Sequence, residues 1–310
     1  MFFLAGLEQT GGDIQDWVVG LIGRPNNIPD DMIGICRAMV SKSPVVFVDL
    51  DQPLESFTDA FGAVFDTLAI SHLFGNKEED IIDRISWNSL WLTENGIATY
   101  LLPPARARRL RHNSTCPDTA ILPLSGHPLI GRPPYLSNCS SRILKHDAAS
   151  YLRVRARLQA TFSNYHEMAV AKQIRRAERC HIIVGTSLYR AGLITKHDER
   201  EAYSSLISGI RERSPRDLIV WKPHPRAQSG NHANDFPVIT PNQPIPIEVM
   251  LPHDVNNVVV HSIASTTLLT ASYMHKLQVK EVVSNIDIEK LPHVKFVQRF
   301  VRKTTQKSLG

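Results

Sequence analysis

The strongest constraint on the fold is an apolar run that stops on a histidine between two prolines, in the segment LIVWKPHPR at residues 218–226. Each proline fixes its own φ angle and disfavours helical geometry for the residue before it, so His224 is expected outside any helix. The pattern predicts a buried strand that ends in a stiff turn, with His224 at its carboxyl end. Ligands of open α/β sheets bind at that edge. Lys222 and Arg226 beside the histidine favour a phosphate ligand, and a proline-rich turn with an incidental histidine is the alternative.

A second apolar run, VVVH at residues 258–261, passes through small hydroxylated residues into an apolar pattern at helical spacing. Ser265, Thr266 and Thr267 are expected at or near the N-terminus of that helix. Free backbone N–H groups, the helix dipole and hydroxyl donors together make such a helix end an anion site. Ordinary N-capping uses the same geometry and is the alternative, although three consecutive hydroxyls exceed what a cap needs.

The order of the elements in the second half predicts a parallel sheet. The strand CHIIV at residues 180–184 ends on Gly185, Thr186 and Ser187, which form a second candidate phosphate loop. A helix at residues 198–213 then leads into the strand that ends before the His-Pro turn. Strand, helix and strand in this order are typical of a parallel α/β sheet.

One carboxylate in the first half stands at a predicted strand end. Glu94 follows the short apolar segment SLWL at residues 89–92 and precedes Gly96, which permits a sharp turn. A carboxylate in that position can face a ligand and act as a general base. An exposed turn glutamate is the alternative from these residues alone.

The composition limits the classes of binding partner more than it limits the fold. With 310 residues, the chain has room for two α/β domains or one large domain, and its formal charge of +5 favours acidic partners. No aromatic-interleaved basic platform or zinc pattern supports nucleic-acid binding. The four cysteines form no C-x-x-C pair, and neither a secretory signal nor an apolar run of membrane-spanning length is visible. Reduced, cytosolic thiols are therefore expected.

Three clusters of basic residues have two interpretations each. The segment VKFVQRFVRK at residues 294–303 alternates apolar and cationic residues at roughly helical spacing. It predicts a helix that either packs back on a domain or lies on an acidic membrane surface. The clusters at residues 106–112 and 153–157 are either solvated helical faces or contacts to a polyanionic acceptor.

Three short motifs resemble signatures of the bacterial sialyltransferases and polysialyltransferases related to capsule synthesis. That family carries an acidic-acidic-Gly motif, a Lys-x-His-Pro motif and a Ser-Ser/Thr motif, in this order. The corresponding segments here are ENG at residues 94–96, KPHP at residues 222–225 and ST at residues 265–266. Asn95 departs from the pattern because it replaces the second acidic residue of the first motif.

Further segments extend the resemblance over residues 89–271. Tyr100 is similar to the family's aromatic residue after the acidic turn, and residues 185–194 are similar to the strand and loop that open its second domain. The segment PIE at residues 246–248 resembles the proline-glutamate element that the family carries between its last two motifs.

The resemblance implies an α/β protein of the GT-B type, with two Rossmann-like domains and a nucleotide cleft between them. Residues 1–160 would form the acceptor-side domain, truncated or divergent at its start, and residues 161–292 the donor-nucleotide domain. Residues 293–310 would be a basic helix or tail. The implied activity is inverting, metal-independent and cofactor-free transfer of sialic acid from CMP-sialic acid to an anionic glycan. The implied location is the cytoplasm, with peripheral contact to the inner membrane face.

The family's residue roles carry over onto the matching positions. Glu94 matches the base that deprotonates the acceptor hydroxyl, and His224 matches the histidine that binds or protonates the departing phosphate. Inverting transfer needs both, since negative charge develops on the leaving group opposite the base. The residues expected to bind the donor are Lys222, Pro225, Gly185, Thr186, Ser187, Glu248, Ser265, Thr266 and Thr267, with Ser262 as a weaker candidate.

Two other functions stay open at this point. One is a GT-B transferase that uses another CDP- or CMP-linked donor. The other is a non-catalytic relative that binds a nucleotide or a glycan, an interpretation that Asn95 favours because it removes one carboxylate from the first motif.

Overall fold

The structure of the chain is a computed structural model, which describes residues 2–10, 17–23, 31–40, 45–49, 58, 62, 64–70, 81–94, 100, 116–127, 130–131, 133–137, 139–145, 148–186, 188–189, 192–224, 238–241, 245–282 and 292–307. The chain folds into two compact units, Met1–Arg157 and Leu158–Gly310. Within the part of the chain that is described, no helix has the length and apolarity needed to cross a membrane.

The first unit contains a parallel sheet of four strands in the order β3-β4-β5-β6. Its buried residues include Leu90, Leu92 and Ala120, which pack into one apolar cluster. The elements of this unit are helices α1 (Phe2–Gln9) and α2 (Asp31–Val40), the parallel pair β1 (Val19–Gly23) and β2 (Val45–Asp49), strands β3 (Val64–Ile70), β4 (Ser86–Thr93), β5 (Thr119–Ile121) and β6 (Arg142–Leu144), and 3₁₀ helices at Pro123–Gly126 and Pro134–Leu136. Helix α3 (Ala148–Thr161) begins in this unit and ends in the second.

The second unit contains a parallel sheet of four strands, in the order β10 (Gln278–Glu281), β9 (Val258–Ser262), β7 (Cys180–Val184) and β8 (Leu218–Lys222). Strands β7 and β9 are buried along their whole length, as expected for the centre of a parallel sheet covered on both faces. The elements are α4 (His166–Arg176), β7 (Cys180–Val184), α5 (Lys196–Arg213), β8 (Leu218–Lys222), α6 (Ile247–Met250), β9 (Val258–Ser262), α7 (Thr266–His275), β10 (Gln278–Glu281) and α8 (Pro292–Lys307).

These elements confirm the α/β fold class and the main predictions for the second half. The strand before the His-Pro turn is β8, and α5 begins at Lys196, two residues before the predicted helix start. Ser265 is the N-cap residue of α7, so the hydroxylated segment does stand at a helix N-terminus. The repeated β-α-β order explains the parallel pairing, because each helix returns the chain to the edge where the previous strand began.

The C-terminal helix packs on the protein through its apolar face. Val297, Phe300 and Val301 are buried, and α8 lies against α7 and β10. The cations of the predicted amphipathic pattern are exposed on the other face: Lys295, Arg299, Arg302 and Lys303. Of the two interpretations of this helix, packing on a domain is the one that its contacts support.

Two of the four cysteines are joined, which corrects the expectation of reduced thiols throughout. Cys116 and Cys139 form a disulfide with a Cα–Cα distance of 5.5 Å, while Cys36 and Cys180 are free. The pairing follows from strand register: Thr119 of β5 lies beside Arg142 of β6, and each cysteine stands three residues earlier. Because disulfides are rare in reducing compartments, this pair weakens the argument for a cytosolic location from cysteine spacing.

A buried histidine pair connects the central strands of the second sheet. The Nδ1 atom of His181 on β7 lies 2.9 Å from Nε2 of His261 on β9, and Nε2 of His181 lies 3.0 Å from the Asp217 carboxylate. His181 Nε2–H donates a hydrogen bond to the Asp217 carboxylate, so in the neutral ring Nδ1 of His181 accepts from Nε2–H of His261. Nδ1 of His261 then has no hydrogen-bond partner among the described residues. Burial disfavours the charged form of both imidazoles and lowers the pKa of each, which favours neutral rings in the folded protein.

This pair predicts a loss of stability in acid. Burial, His181, Lys280 and Arg179 lower the pKa of His261 to about 3, and burial lowers the pKa of His181 against the opposing effect of Asp217. An unfolded histidine titrates near 6.5, so below that pH the unfolded chain binds more protons than the folded one. The free energy of unfolding should therefore fall as the pH drops from about 6.5 towards 4, by up to ~1.4 kcal/mol per pH unit for His261, and His181 acts in the same direction.

The measurement is urea unfolding between these pH values for the wild type and His261→Gln. Glutamine keeps an N–H donor for His181 but does not titrate, so the variant should show a shallower dependence of stability on pH. An equally steep dependence in the variant would mean that His261 is not one of the responsible groups.

Candidate functional site

Three strand ends of the second sheet meet at one edge. All neighbouring strands are parallel, so β7, β8 and β9 have their carboxyl ends on the same side. The chain runs from β7 to β8 on one side and then crosses to β9 on the other, so the strand order reverses at β7. Such a reversal opens a crevice beyond the carboxyl ends of the strands, which is the usual ligand site of this architecture. The predicted donor-binding segments at Gly185, His224 and Ser265 all follow these three strands.

The His-Pro turn is held directly against the end of β7. The backbone N–H of Gly185 donates to the carbonyl of Lys222 at 2.9 Å. A Cβ atom on Gly185 would lie 3.1 Å from two ring atoms of Trp221 and 3.3 Å from the backbone nitrogen of His224. A side chain at position 185 would therefore require Trp221 or the turn to shift by a few tenths of an ångström. His224 itself is half-buried. Of the other residues predicted for this site, Ser187 and Pro225 lie outside the described residues.

Gly185→Ala is expected to destabilise the protein by about 1–3 kcal/mol, because the added methyl group overpacks the contact with Trp221 and the turn. Urea unfolding provides the measurement. Gly209→Ala is the matched control, since the nearest atoms to its Cβ are side-chain atoms of Arg213 at 3.6 Å or more and alanine favours the interior of α5. If the two variants had equal stability, the close approach at Gly185 would not constrain the turn.

The start of α7 combines a cap with a buried hydroxyl. Ser265 Oγ accepts from the backbone N–H of Thr267 at 3.2 Å, so ordinary capping is part of its role. The Thr267 side chain is buried and its hydroxyl hydrogen-bonds to Glu248. Thr266 and Ser265 are only half-buried. Of the three predicted hydroxyls, these two stand nearer to solvent at the helix end.

Lys222 belongs to a buried group of charges. It is 6% exposed, and burial lowers its pKa to about 8, while Glu167 and Glu248 act in the opposite direction. Burial likewise raises the pKa of Glu248, opposed by Lys222 and Thr267. Glu167 is fully buried in the first turn of α4, a helix that packs on α6. Lys222 at the end of β8 therefore interacts electrostatically with two carboxylates, Glu167 on α4 and Glu248 on α6.

Glu167 was not predicted from the sequence. It stands in the first turn of a helix, where acidic residues are common and stabilise the helix dipole. Nothing in its spacing distinguishes it from such a surface residue, so only its complete burial beside Lys222 identifies it.

The loop after β7 is fastened by a second buried carboxylate. The Thr186 hydroxyl donates to Glu199 of α5, and Glu199 also accepts from the backbone N–H of Leu188. The carbonyl of Val184 accepts from Tyr203 at 3.1 Å and from Ser262 at 2.8 Å. The hydroxyl groups of Thr186 and Ser262 thus both donate their hydrogens in bonds within the protein. Glu199 and Tyr203 were also not predicted, because their partners lie 13 and 19 residues away.

Glu94 in the first unit is buried, which excludes the exposed-turn interpretation. It directly follows β4 and is 8% exposed. Its Oε2 atom accepts from the Tyr100 hydroxyl at 2.6 Å and from the backbone N–H of Leu124 at 3.0 Å. Its Oε1 atom is buried and has no hydrogen-bond partner among the residues that the structure describes. Asn95 and Gly96 of the same motif lie outside those residues.

The electrostatics of Glu94 suit a proton acceptor. Burial raises its pKa to about 7, against the opposing effect of the hydrogen bonds from Tyr100 and Leu124. A general base works best when its pKa lies near the operating pH, because it is then both available and basic enough. The Glu94 carboxylate meets that condition near neutral pH.

Comparison with known proteins identifies the family of the chain. A search of curated proteins gives no match to this chain. The family model for alpha-2,8-polysialyltransferase (POLYST) matches residues 55–284, which include Glu94, His224 and Ser265. The match covers 230 of the 310 residues, and the chain therefore belongs to the alpha-2,8-polysialyltransferase family of glycosyltransferases, enzymes that transfer sialic acid from a nucleotide-sugar donor to a glycan.

Proposed function

We propose that the protein is an inverting, metal-independent sialyltransferase of the GT-B type, with CMP-sialic acid as donor and an anionic glycan as acceptor. The observation that carries the proposal is the Glu94 carboxylate, which is buried, has a raised pKa and keeps one oxygen unpartnered among the described residues. Two compact units, each with a four-stranded parallel sheet, support the assignment of two Rossmann-like domains.

In the proposed reaction, Glu94 removes the proton from the acceptor hydroxyl. The acceptor oxygen forms a bond to the anomeric carbon of sialic acid from the face opposite the donor phosphate. The bond between that carbon and the phosphate oxygen breaks, and its electron pair leaves with CMP. The products are the sialylated glycan and CMP, with the configuration at the anomeric carbon inverted.

The donor side of the proposal lies at the strand ends of the second unit. His224 binds or protonates the departing phosphate, and the half-buried residues Ser265 and Thr266 at the N-terminus of α7 stabilise its charge. Two features support this: both segments follow strands whose carboxyl ends share one edge, and the strand order reverses there. Glu248, held by Lys222 and Thr267, is proposed to contact the sugar of the nucleotide.

The exposed cations of α8 form a surface that can bind a polyanion. Lys295, Arg299 and Arg302 stand on the outer face of a helix whose apolar face is buried. A cationic face of this kind attracts polyanions. We therefore propose that α8 binds an anionic glycan chain or the acidic inner face of a membrane.

The test is incubation of the protein with CMP-sialic acid and a panel of sialylated oligosaccharides, with products identified by mass spectrometry. We expect a mass increase of one or more sialic acid residues, an inverted linkage by NMR, and no change in rate on addition of EDTA. Strong inhibition by EDTA would contradict metal-independent chemistry. Transfer from a CDP-linked donor instead would overturn the proposed donor, and CMP binding without any transfer would indicate a non-catalytic relative.

A further inference from the structure

We infer that Tyr100 is a positioning residue for Glu94: together with the Leu124 N–H it holds Oε2, and it leaves Oε1 as the atom that receives the proton of the acceptor hydroxyl. The inference rests on the proposed function, because it assigns roles to the two oxygens of the proposed base. The group expected to bind at Oε1 is a hydroxyl that donates a hydrogen bond.

The two hydrogen bonds to Glu94 converge on one oxygen. The Tyr100 hydroxyl is 2.6 Å from Oε2, a length typical of an O–H group that donates to an ionised carboxylate. The Leu124 N–H, at 3.0 Å from the same atom, belongs to the residue that follows Pro123 at the start of a 3₁₀ helix. A backbone donor and a buried phenol, 6% exposed, together fix the plane and the rotation of the carboxylate.

The other oxygen of the carboxylate, Oε1, differs from Oε2 in its hydrogen bonding. Oε1 is buried and has no hydrogen-bond partner within the described part of the chain. A buried acceptor that lacks a donor costs free energy, and such atoms in folded proteins call for a specific explanation. An acceptor hydroxyl that donates to Oε1 supplies the missing hydrogen bond and stands in position for proton transfer. The arrangement thus divides the carboxylate into a held oxygen and a reacting oxygen.

The Tyr100 phenol remains a protonated hydrogen-bond donor to Glu94 in the working pH range. Burial and the neighbouring Glu94 carboxylate raise the pKa of Tyr100 far above its ordinary value, and burial and Glu94 also raise the pKa of Tyr135. Among the residues described, Tyr100 is the titratable group that shifts the pKa of Glu94, and Tyr135 is a second phenol whose own pKa responds to the Glu94 charge. Because the Tyr100 hydrogen bond stabilises the ionised carboxylate, it lowers the pKa of Glu94. Removal of that hydroxyl should therefore raise the pKa.

The experiment compares Tyr100→Phe with the wild type in the 310-residue chain. We expect the acid limb of the kcat/KM–pH profile to move upward by about one pH unit or more, with activity recovering at higher pH. Tyr203→Phe is the control for loss of a buried phenol hydroxyl, since Tyr203 donates to the Val184 carbonyl in the second unit. It is expected to lower the melting temperature without moving the acid limb. A Tyr100→Phe profile that is lowered at every pH but not shifted would overturn the inference.

A second readout separates this inference from the proposed function. The pKa of Glu94 is measured without turnover by ¹³C NMR of labelled glutamate carboxyls, with Glu94→Gln identifying the resonance. A higher pKa in Tyr100→Phe than in the wild type supports the positioning role even if no sialyl transfer is detected. An unchanged pKa overturns it even if Glu94→Gln abolishes transfer. If Glu94→Gln instead keeps full activity, the base assignment fails, and the catalytic role of Tyr100 fails with it.

Discussion

Glu94→Gln is expected to lower kcat for sialyl transfer by about 10²–10⁴-fold, the usual contribution of a general base. Donor binding should change little, because Glu94 acts on the acceptor hydroxyl. The substitution is close to isosteric: the amide oxygen of glutamine can accept from Tyr100 and Leu124 as Oε2 does. What the variant loses is the basic atom itself, so the effect belongs to the chemical step.

Steady-state rates and CMP calorimetry, with a thermal melt to confirm folding, provide the measurement for this variant. Glu94→Asp is the matched variant: it keeps a carboxylate but withdraws it by one methylene, and its kcat should fall between those of the wild type and the glutamine variant. A glutamine variant with kcat within a few-fold of the wild type would show that Glu94 is not the base.

The wild-type profile gives a related expectation. Because the pKa of Glu94 is about 7, the fraction of ionised base falls below that pH, and kcat/KM should decline as the pH drops from about 7. Glu94→Gln should lose this acid limb together with the rate. A residual activity that keeps the same limb would assign it to another group.

His224→Ala is expected to lower transfer by about 10²–10³-fold or more, the usual effect of removing one donor from a developing negative charge. The fold should be retained, since His224 is half-buried and follows β8 rather than packing inside it. Donor affinity should weaken as well, because the imidazole is proposed to contact the phosphate before and during its departure.

For His224 the comparison variant is His224→Gln, which keeps a hydrogen-bond donor but cannot release a proton at neutral pH. Full rescue by glutamine would assign His224 to phosphate binding alone, and no rescue would favour proton donation. Near-full activity of His224→Ala, with an unchanged melting temperature, would remove this histidine from the mechanism.

Several features of the second unit follow from local stereochemistry, and these were predictable. The two prolines around His224 prevent a helix there, so β8 must end and a turn must follow. The hydroxylated run before the apolar helical pattern places Ser265 at a helix cap, because its side chain satisfies a free backbone N–H. The same local motifs, in their order along the chain, were enough to identify the family that the comparison shows.

The partners of the site residues were not predictable in the same way. Sequence reasoning alone left Glu94 as either a base or an exposed turn residue, and only burial and the Leu124 N–H, 30 residues away, decide between them. From the sequence, Lys222 is expected to be a cation that binds phosphate beside His224. In the structure its side chain is buried, and Glu167 and Glu248 act on its charge. Hydrogen bonds across this separation in sequence depend on which elements pack together, and no local pattern encodes that.

The sequence by itself determined where strands end and helices begin, and which family carries those motifs, because φ restriction, capping and hydrophobic period act within a few residues. Only the tertiary structure decided the chemical state of the groups. Parallel register brought Cys116 to Cys139 and His181 to His261, and burial raised the pKa of Glu94 to about 7. Desolvation and hydrogen bonding depend on the surroundings in three dimensions, so they are fixed only when distant segments come together.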